Sequence, residues 1–241
     1  MLNEDNHFVS LENSWIWSAI PKNASSAIMA SLIDYFFKDD YVGYQDMDMH
    51  LFLKNNVEYN KKLCSIKKMP HNIKPFDNDD IYKFICIRNP ESRVVSAIFD
   101  KIIINNAKEF PTFLEFYQMD QGSLSEMSNV KKFFLATKFL LLNNSEIVDP
   151  HFVSQEFLIP HGVSYNKILI YENLSNDWKD LKNYIKISKL SNVKINQSNS
   201  DIFLKEILDN GLYKKSLQNI KLFCEKENHF INNFVKDGIR Q

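Results

Sequence analysis

Residues Ile81-Tyr-Lys-Phe-Ile-Cys-Ile87 form a nearly continuous apolar run that stops at Arg88-Asn-Pro90. A short run of this kind reads as a strand buried on both faces, and such strands occupy the middle of parallel sheets. Parallel neighbours need crossover connections, usually helices. The residues around the run supply them. Pro90 suits the first turn of a helix, and Val94, Val95, Ile98, Ile102 and Ile103 continue one.

Upstream, Trp15-Ile-Trp-Ser-Ala-Ile20 is a second short apolar run, ended by Pro21. From Ser25 the pattern changes to Ile28, Met29, Leu32, Ile33 and Phe36, the period of a helix packed on a core. Leu63 to Met69 reads as a further strand, and Lys167 to Tyr171 as another, followed by a helix from Asn176 to Tyr184. Phe110 to Tyr117, Val130 to Leu142, Phe203 to Leu208 and Leu217 to Phe234 read as helices. Strands alternating with helices imply a layered α/β fold with a central parallel sheet. The 241 residues carry no repeat, no low-complexity tract and no Pro/Gly/Ser linker. One domain over residues 1–241 is expected, with 1–13 as a flexible N-terminus.

Composition excludes several functions. Hydrophobic residues make up 44% and charged residues 24%, which rules out wholesale disorder. The formal net charge of −1 gives no global basic field for nucleic acid or an anionic membrane. Only five glycines occur, at 43, 122, 162, 211 and 238. Neither GxGxxG nor GxxxxGK[ST] exists, so any phosphate site must be built without glycine. Cys64, Cys86 and Cys224 are too far apart for a CxxC zinc site, and free thiols fit a reducing compartment. No metal motif, signal peptide or membrane span is visible. A cytoplasmic protein is the expectation.

Two strand-to-helix turns carry chemistry. Pro21-Lys22-Asn23-Ala24-Ser25-Ser26-Ala27 joins the first strand to its helix. Ligands of α/β sheets bind at the carboxyl ends of strands, where helix N-termini offer free N–H groups. Small Ala24 and Ala27 let an anion approach, Ser25 and Ser26 add hydroxyls, and Lys22 adds charge. Read alone, the segment fits an N-capped helix after a turn equally well. The second turn, Arg88-Asn-Pro-Glu-Ser-Arg93-Val-Val-Ser96, also follows a strand and opens a helix. Arg88 as a guanidinium fork and Ser96 as a hydroxyl donor suit a second phosphate. The bland alternative leaves Glu91 and Arg93 as solvated surface charges and Ser96 as a packing residue.

Together these segments resemble the sulfotransferases that use 3′-phosphoadenosine 5′-phosphosulfate (PAPS), in the carbohydrate and chondroitin-type O-sulfotransferase branch with its bacterial relatives. Pro21–Ser26 is similar to that branch's 5′-phosphosulfate loop, and Tyr82–Ser96 to its 3′-phosphate segment. Asp149-Pro-His-Phe-Val-Ser-Gln155 resembles a later Asp-x-His-(Trp/Phe)-x-x-Gln element, with Ser154 where Pro is common. Ile168–Leu174 resembles the strand ending in Glu-Asn-Leu, and Asn196-Gln-Ser198 the Asn-x-Ser element. The matches run in family order from about residue 15 to 200.

The resemblance implies a P-loop-like three-layer α/β fold, PAPS as donor, adenosine 3′,5′-bisphosphate as product and no metal. It implies Lys22 beside the leaving phosphate and residues 23–27 around the 5′-phosphate. Arg88 and Ser96 fall on the 3′-phosphate. The acceptor is then a hydroxyl, expected on a sugar or glycan. A histidine has the right intrinsic range for the base. The resemblance points first to His71, seventeen residues before Arg88, then to His151, with Gln155 assisting, and distantly to His50. His7, His161 and His229 are expected to be bland, and Glu172 to orient backbone at a strand end. The alternatives are a P-loop-type small-molecule kinase, which lacks its Walker motif here, and a non-catalytic nucleotide-binding module. The oligomeric state is not readable.

Overall fold

The Trp15–Ser18 and Tyr82–Ile87 runs lie side by side as parallel neighbours, strands β2 and β4, with Trp15 opposite Tyr82 and Ser18 opposite Ile85. They belong to a computed structural model that describes residues 7–37, 63–66, 74–144, 147, 149–187 and 211–238. Strand β5 (Lys167–Ile170) pairs parallel to β4 on its other side. The five-stranded sheet is completed by β1 (His7–Ser10) and β3 (Cys64–Ser65), in the order β3-β1-β2-β4-β5.

β1 pairs antiparallel with β2 and with β3, so the sheet is parallel through its centre and antiparallel at one edge. Residues 7–10 therefore correct the expected flexible N-terminus. Phe8 and Val9 are almost wholly buried, and their burial comes from pairing with β2 rather than from any long apolar run. The expected strand over 63–69 is described only at its start, and the helix expected over 203–208 lies outside the described residues.

The chain divides into two compact units. The first comprises residues 1–88, 157–196 and 232–241. One face of its sheet carries Phe8, Trp15, Trp17, Phe84, Cys86 and Leu169, as the two-residue strand period requires. Helix α1 (Ser25–Phe37) lays Ile28, Met29, Leu32, Ile33 and Phe36 on that face. A helix at Leu174–Ile185 adds Trp178, Leu181 and Ile185. Trp17 stacks on Phe8 at 5.5 Å, and Trp15 meets Phe84 at 5.7 Å between ring centres. Burying two whole tryptophans supplies much of this unit's stability.

In the second unit, residues 89–156 and 197–231, the regular elements among the described residues are helices. Helix α2 (Pro90–Ile98) begins with Asn89 capping the Ser92 amide and runs directly into a π-helical stretch, Phe99–Ile104. Short helices α3 (Pro111–Phe116) and α4 (Gln121–Ser125) lead to α5 (Asn129–Leu142). The chain then passes through Asp149–Ser154 to α6 (Gln155–Leu158), the Leu174–Ile185 helix, hereafter α7, and α8 (Gly211–Gly238). Val94, Ile98, Phe113, Phe133, Phe139, Phe152 and Cys224 share one core. No helix among the described residues is long and apolar enough to cross a membrane.

The opposite face of the sheet holds a polar row. His7 Nδ1 lies 3.0 Å from Ser18 Oγ, which lies 2.8 Å from Tyr165 Oη. His7 is 1% exposed, and burial pushes its pKa from 6.5 down to about 4. The unfolded chain takes up this proton first, so stability falls as pH drops from 6.5 towards 4. At pH 5 the loss is about 2 kcal/mol. Urea unfolding of the wild type should show this decline, and His7→Gln, which keeps a polar partner for Ser18 without titrating, should flatten it.

Candidate functional site

The turn after β2 solves a steric problem without glycine. Asn23 N–H bonds back to Ile20 O at 3.1 Å, closing a four-residue turn with Pro21 and Lys22 at its centre. Lys22 takes φ +67°, as the third position of a type II turn requires, and Pro21 is the favoured second residue. Ala24 also lies in the left-handed region, at φ +59°. Such a conformation costs a non-glycine residue on the order of 1 kcal/mol, and it persists only where the surroundings enforce it.

Two hydrogen bonds do the enforcing. Asn23, 1% exposed, donates from Nδ2 to the carbonyl of Cys86 in β4 at 3.0 Å. Arg88, one residue past β4, donates from Nη1 to the carbonyl of Lys22 at 2.9 Å. The loop after β2 is thus stitched to the carboxyl end of its parallel neighbour. Helix α1 starts immediately beyond, and its first bond runs from Ile28 N–H to Ala24 O at 2.9 Å. The amides of Ser25, Ser26 and Ala27 precede that bond and point out of the helix end, where an anion is favoured. Lys22 and Ala24–Ala27 are all partly exposed.

The Arg88 guanidinium lies over the Tyr171 ring, 4.1 Å from its centre. Tyr171 opens a 3-10 turn directly after β5 (Tyr171–Asn173). The stacking holds the fork flat while its edge reaches Lys22 O. This interaction escapes a sequence reading, because nothing local marks the residue after β5 as a partner for the residue after β4. The parallel β4–β5 register is the only signal that aligns the two ends. At the same strand end the backbone is oriented by Asp177, whose Oδ2 accepts the Ile170 amide at 2.7 Å.

In the second unit, Ser96 lies half-buried on α2. His151 lies in the irregular segment before α6. Its Nδ1 is 2.8 Å from Asp149 Oδ1, and its backbone N–H donates to the same oxygen at 2.8 Å. Burial alone would raise the Asp149 pKa. The side-chain and backbone hydrogen bonds from His151, with the charges of His151 and Lys101, overturn that and hold it below the usual aspartate value. An ionised carboxylate can only accept, so Nδ1 carries the proton and Nε2 is left as the basic nitrogen.

Arg93, a solvated surface charge in the bland alternative, is fully buried. It donates from Nη1 to His151 O at 3.1 Å and from Nη2 to Val153 O, and forms a 3.5 Å ion pair with Glu227 of α8. Gln155 is fully buried as well, with Nε2 2.7 Å from Glu227 Oε1. His71, His50 and Asn196–Ser198 lie outside the described residues.

The structure therefore brings Lys22, Asn23, the α1 N-terminus and Arg88 together in one unit, while Ser96 and His151 belong to the other. Adjacent parallel strands that end in a lysine loop, a guanidinium and an open helix N-terminus define a P-loop-like α/β protein. A model of the sulfotransferase family matches residues 5–234, through both units, and the chain belongs to that family. No curated protein and no solved structure matches it.

The strain in the turn gives a direct test. Gly adopts positive φ without steric cost. Ala24→Gly and Lys22→Gly should leave stability unchanged or raise it by up to about 1 kcal/mol in urea unfolding. Ser26→Gly, in the first turn of α1 and without positive φ, should show no such gain. A loss above about 1 kcal/mol on Ala24→Gly would contradict the enforced left-handed turn.

Proposed function

We propose that this protein transfers a sulfuryl group from PAPS to a hydroxyl of a carbohydrate acceptor. One observation carries the reading: the Arg88 guanidinium is bonded to the carbonyl of Lys22. That bond draws together two cationic residues, 66 positions apart in sequence, at neighbouring strand ends, which supports reading them as parts of one anion site.

The donor supplies an activated sulfuryl group on a phosphate that leaves with added negative charge. Lys22 neutralises that charge, the electrostatic assistance expected where charge develops in the transition state. The amides and hydroxyls of Ser25 and Ser26, with the amides of Ala24 and Ala27, hold the 5′-phosphate. Asn23 shapes the loop through Cys86 rather than by touching the anion. Arg88 grips the 3′-phosphate, and Ser96 keeps the hydroxyl-donor role that its motif position implies. This 3′ grip separates the donor from ordinary nucleotides.

His151 is the better supported base. Asp149 fixes its tautomer, so Nε2 can accept the acceptor hydroxyl's proton and the resulting imidazolium is stabilised by the carboxylate. His71 retains the role that the family resemblance implies, as an alternative base. The reading places no metal in the scheme, and it places the protein in the cytoplasm on its free thiols. A sugar or glycan acceptor rests on the resemblance to the carbohydrate branch.

Thermal unfolding with ligands tests the reading. Adenosine 3′,5′-bisphosphate at about a hundredfold over its Kd should add about 2.7 kcal/mol of stability. ATP with Mg²⁺ should add much less; the reverse order would favour a kinase, and no response to either a non-catalytic module. Lys22→Ala should keep the fold while reducing sulfuryl transfer by at least about a hundredfold, the scale seen for removal of one transition-state charge stabiliser.

A further inference from the structure

The segment Asp149–Gln155 has little regular structure of its own, yet it is tied down at every second residue. The Asp149 carboxylate holds the amide and ring of His151. Arg93 takes the carbonyls of His151 and Val153. Glu227 Oε1 takes both the amide of Gln155, at 3.0 Å, and its side chain. Between these ties, Phe152 is buried and stacks on Phe110 at 5.0 Å. The ring of His151 stays partly open, with a quarter of its side chain exposed.

A buried Arg–Glu pair is an inefficient way to stabilise a fold, because apolar replacements of similar volume are often neutral or better. Its geometry here does something apolar residues cannot. A planar guanidinium presents several donors in a fixed plane, and Arg93 uses them to span the carbonyls of residues 151 and 153. Glu227 then aligns Arg93 and Gln155 on one oxygen.

We infer that Arg93 and Glu227 are positioning residues for His151. They fix the backbone on which the Asp149–His151 pair depends, and so keep Nδ1 protonated and Nε2 free and basic. This rests on the reading of His151 as the base. Arg93 also lies three residues before Ser96, one turn away on α2, so the helix assigned to the 3′-phosphate also holds the base segment.

The test uses the full-length chain and long-range ¹H–¹⁵N spectra of the histidine rings, with calorimetry of adenosine 3′,5′-bisphosphate. The double variant Arg93→Met/Glu227→Leu removes both charges, so neither is left buried alone. It should unfold cooperatively and bind the bisphosphate within about twofold of wild type. Its His151 signals should shift from a single Nδ1–H tautomer to a mixture dominated by Nε2–H, the form favoured by an unconstrained histidine side chain. Glu227→Gln keeps the accepting oxygen and should retain the wild-type tautomer. Asp149→Asn should lose it.

The outcomes separate the two claims. If Asp149→Asn loses the tautomer while the double variant keeps it, the positioning role is overturned and the base reading stands. If His151 in the wild type is not an Nδ1–H tautomer, the base reading fails and the positioning role with it. If the double variant loses bisphosphate binding or cooperative unfolding as well, Arg93 and Glu227 are general structural residues and the inference is wrong. If the wild type binds no bisphosphate, the donor assignment fails, whatever the tautomer shows.

Discussion

Two hydrogen bonds tie the loop after β2 to the end of β4. Asn23 reaches Cys86 O, and Arg88 reaches Lys22 O. They help to offset the strain of a loop with two non-glycine residues at positive φ. With them, the loop has one conformation, Lys22 sits beside a guanidinium, and α1 begins where its first amides can meet an anion. Glycine-rich phosphate loops reach a comparable geometry through backbone freedom. This chain reaches it by fixing each side of the turn to a neighbouring strand. The stitching in turn depends on the parallel pairing of β2 with β4, which Trp15, Trp17 and Phe84 hold by burial on one face.

The second unit follows the same logic with other groups. An irregular segment carries His151, and buried charges from α2 and α8 hold that segment at alternate residues. In both units polar bonds fix irregular chain, and apolar cores fix the elements on either side. Single substitutions at Asn23, Arg88, Arg93 or Glu227 are expected to act on function out of proportion to the area they bury.

Much of this was legible in the sequence, and the exceptions have physical reasons. The strands at 15–18 and 82–87 and the helices after them were visible, because apolar runs and helical period are local signals. Arg88 stood out because a charge that ends a buried strand is unusual, and Lys22 because it is the charge in a small-residue turn between a strand and a helix. β1 was hidden, since His7-Phe-Val-Ser10 contains only two apolar residues and owes its strand to β2. The antiparallel edge was hidden for the same reason: pairing direction is a property of two segments. Arg93 read as a surface charge because its partners lie 58 to 134 residues away in sequence. Gln155, expected to assist at the acceptor, instead turns inward to Glu227. Tyr171 gains its meaning only from the end of another strand.

The central claim is that Arg88, held by Lys22 and Tyr171, reads the 3′-phosphate. Calorimetric titration of adenosine 3′,5′-bisphosphate and adenosine 5′-monophosphate into wild type and Arg88→Met tests it most directly. Removing either partner of a charge-assisted hydrogen bond should cost about 1.5–3 kcal/mol, or roughly ten- to a hundredfold in Kd. The account predicts that wild type prefers the bisphosphate by that factor and that Arg88→Met loses most of the preference, with Ser96 keeping the remainder. Equal affinities in the wild type, or a preference undiminished in Arg88→Met, would contradict it.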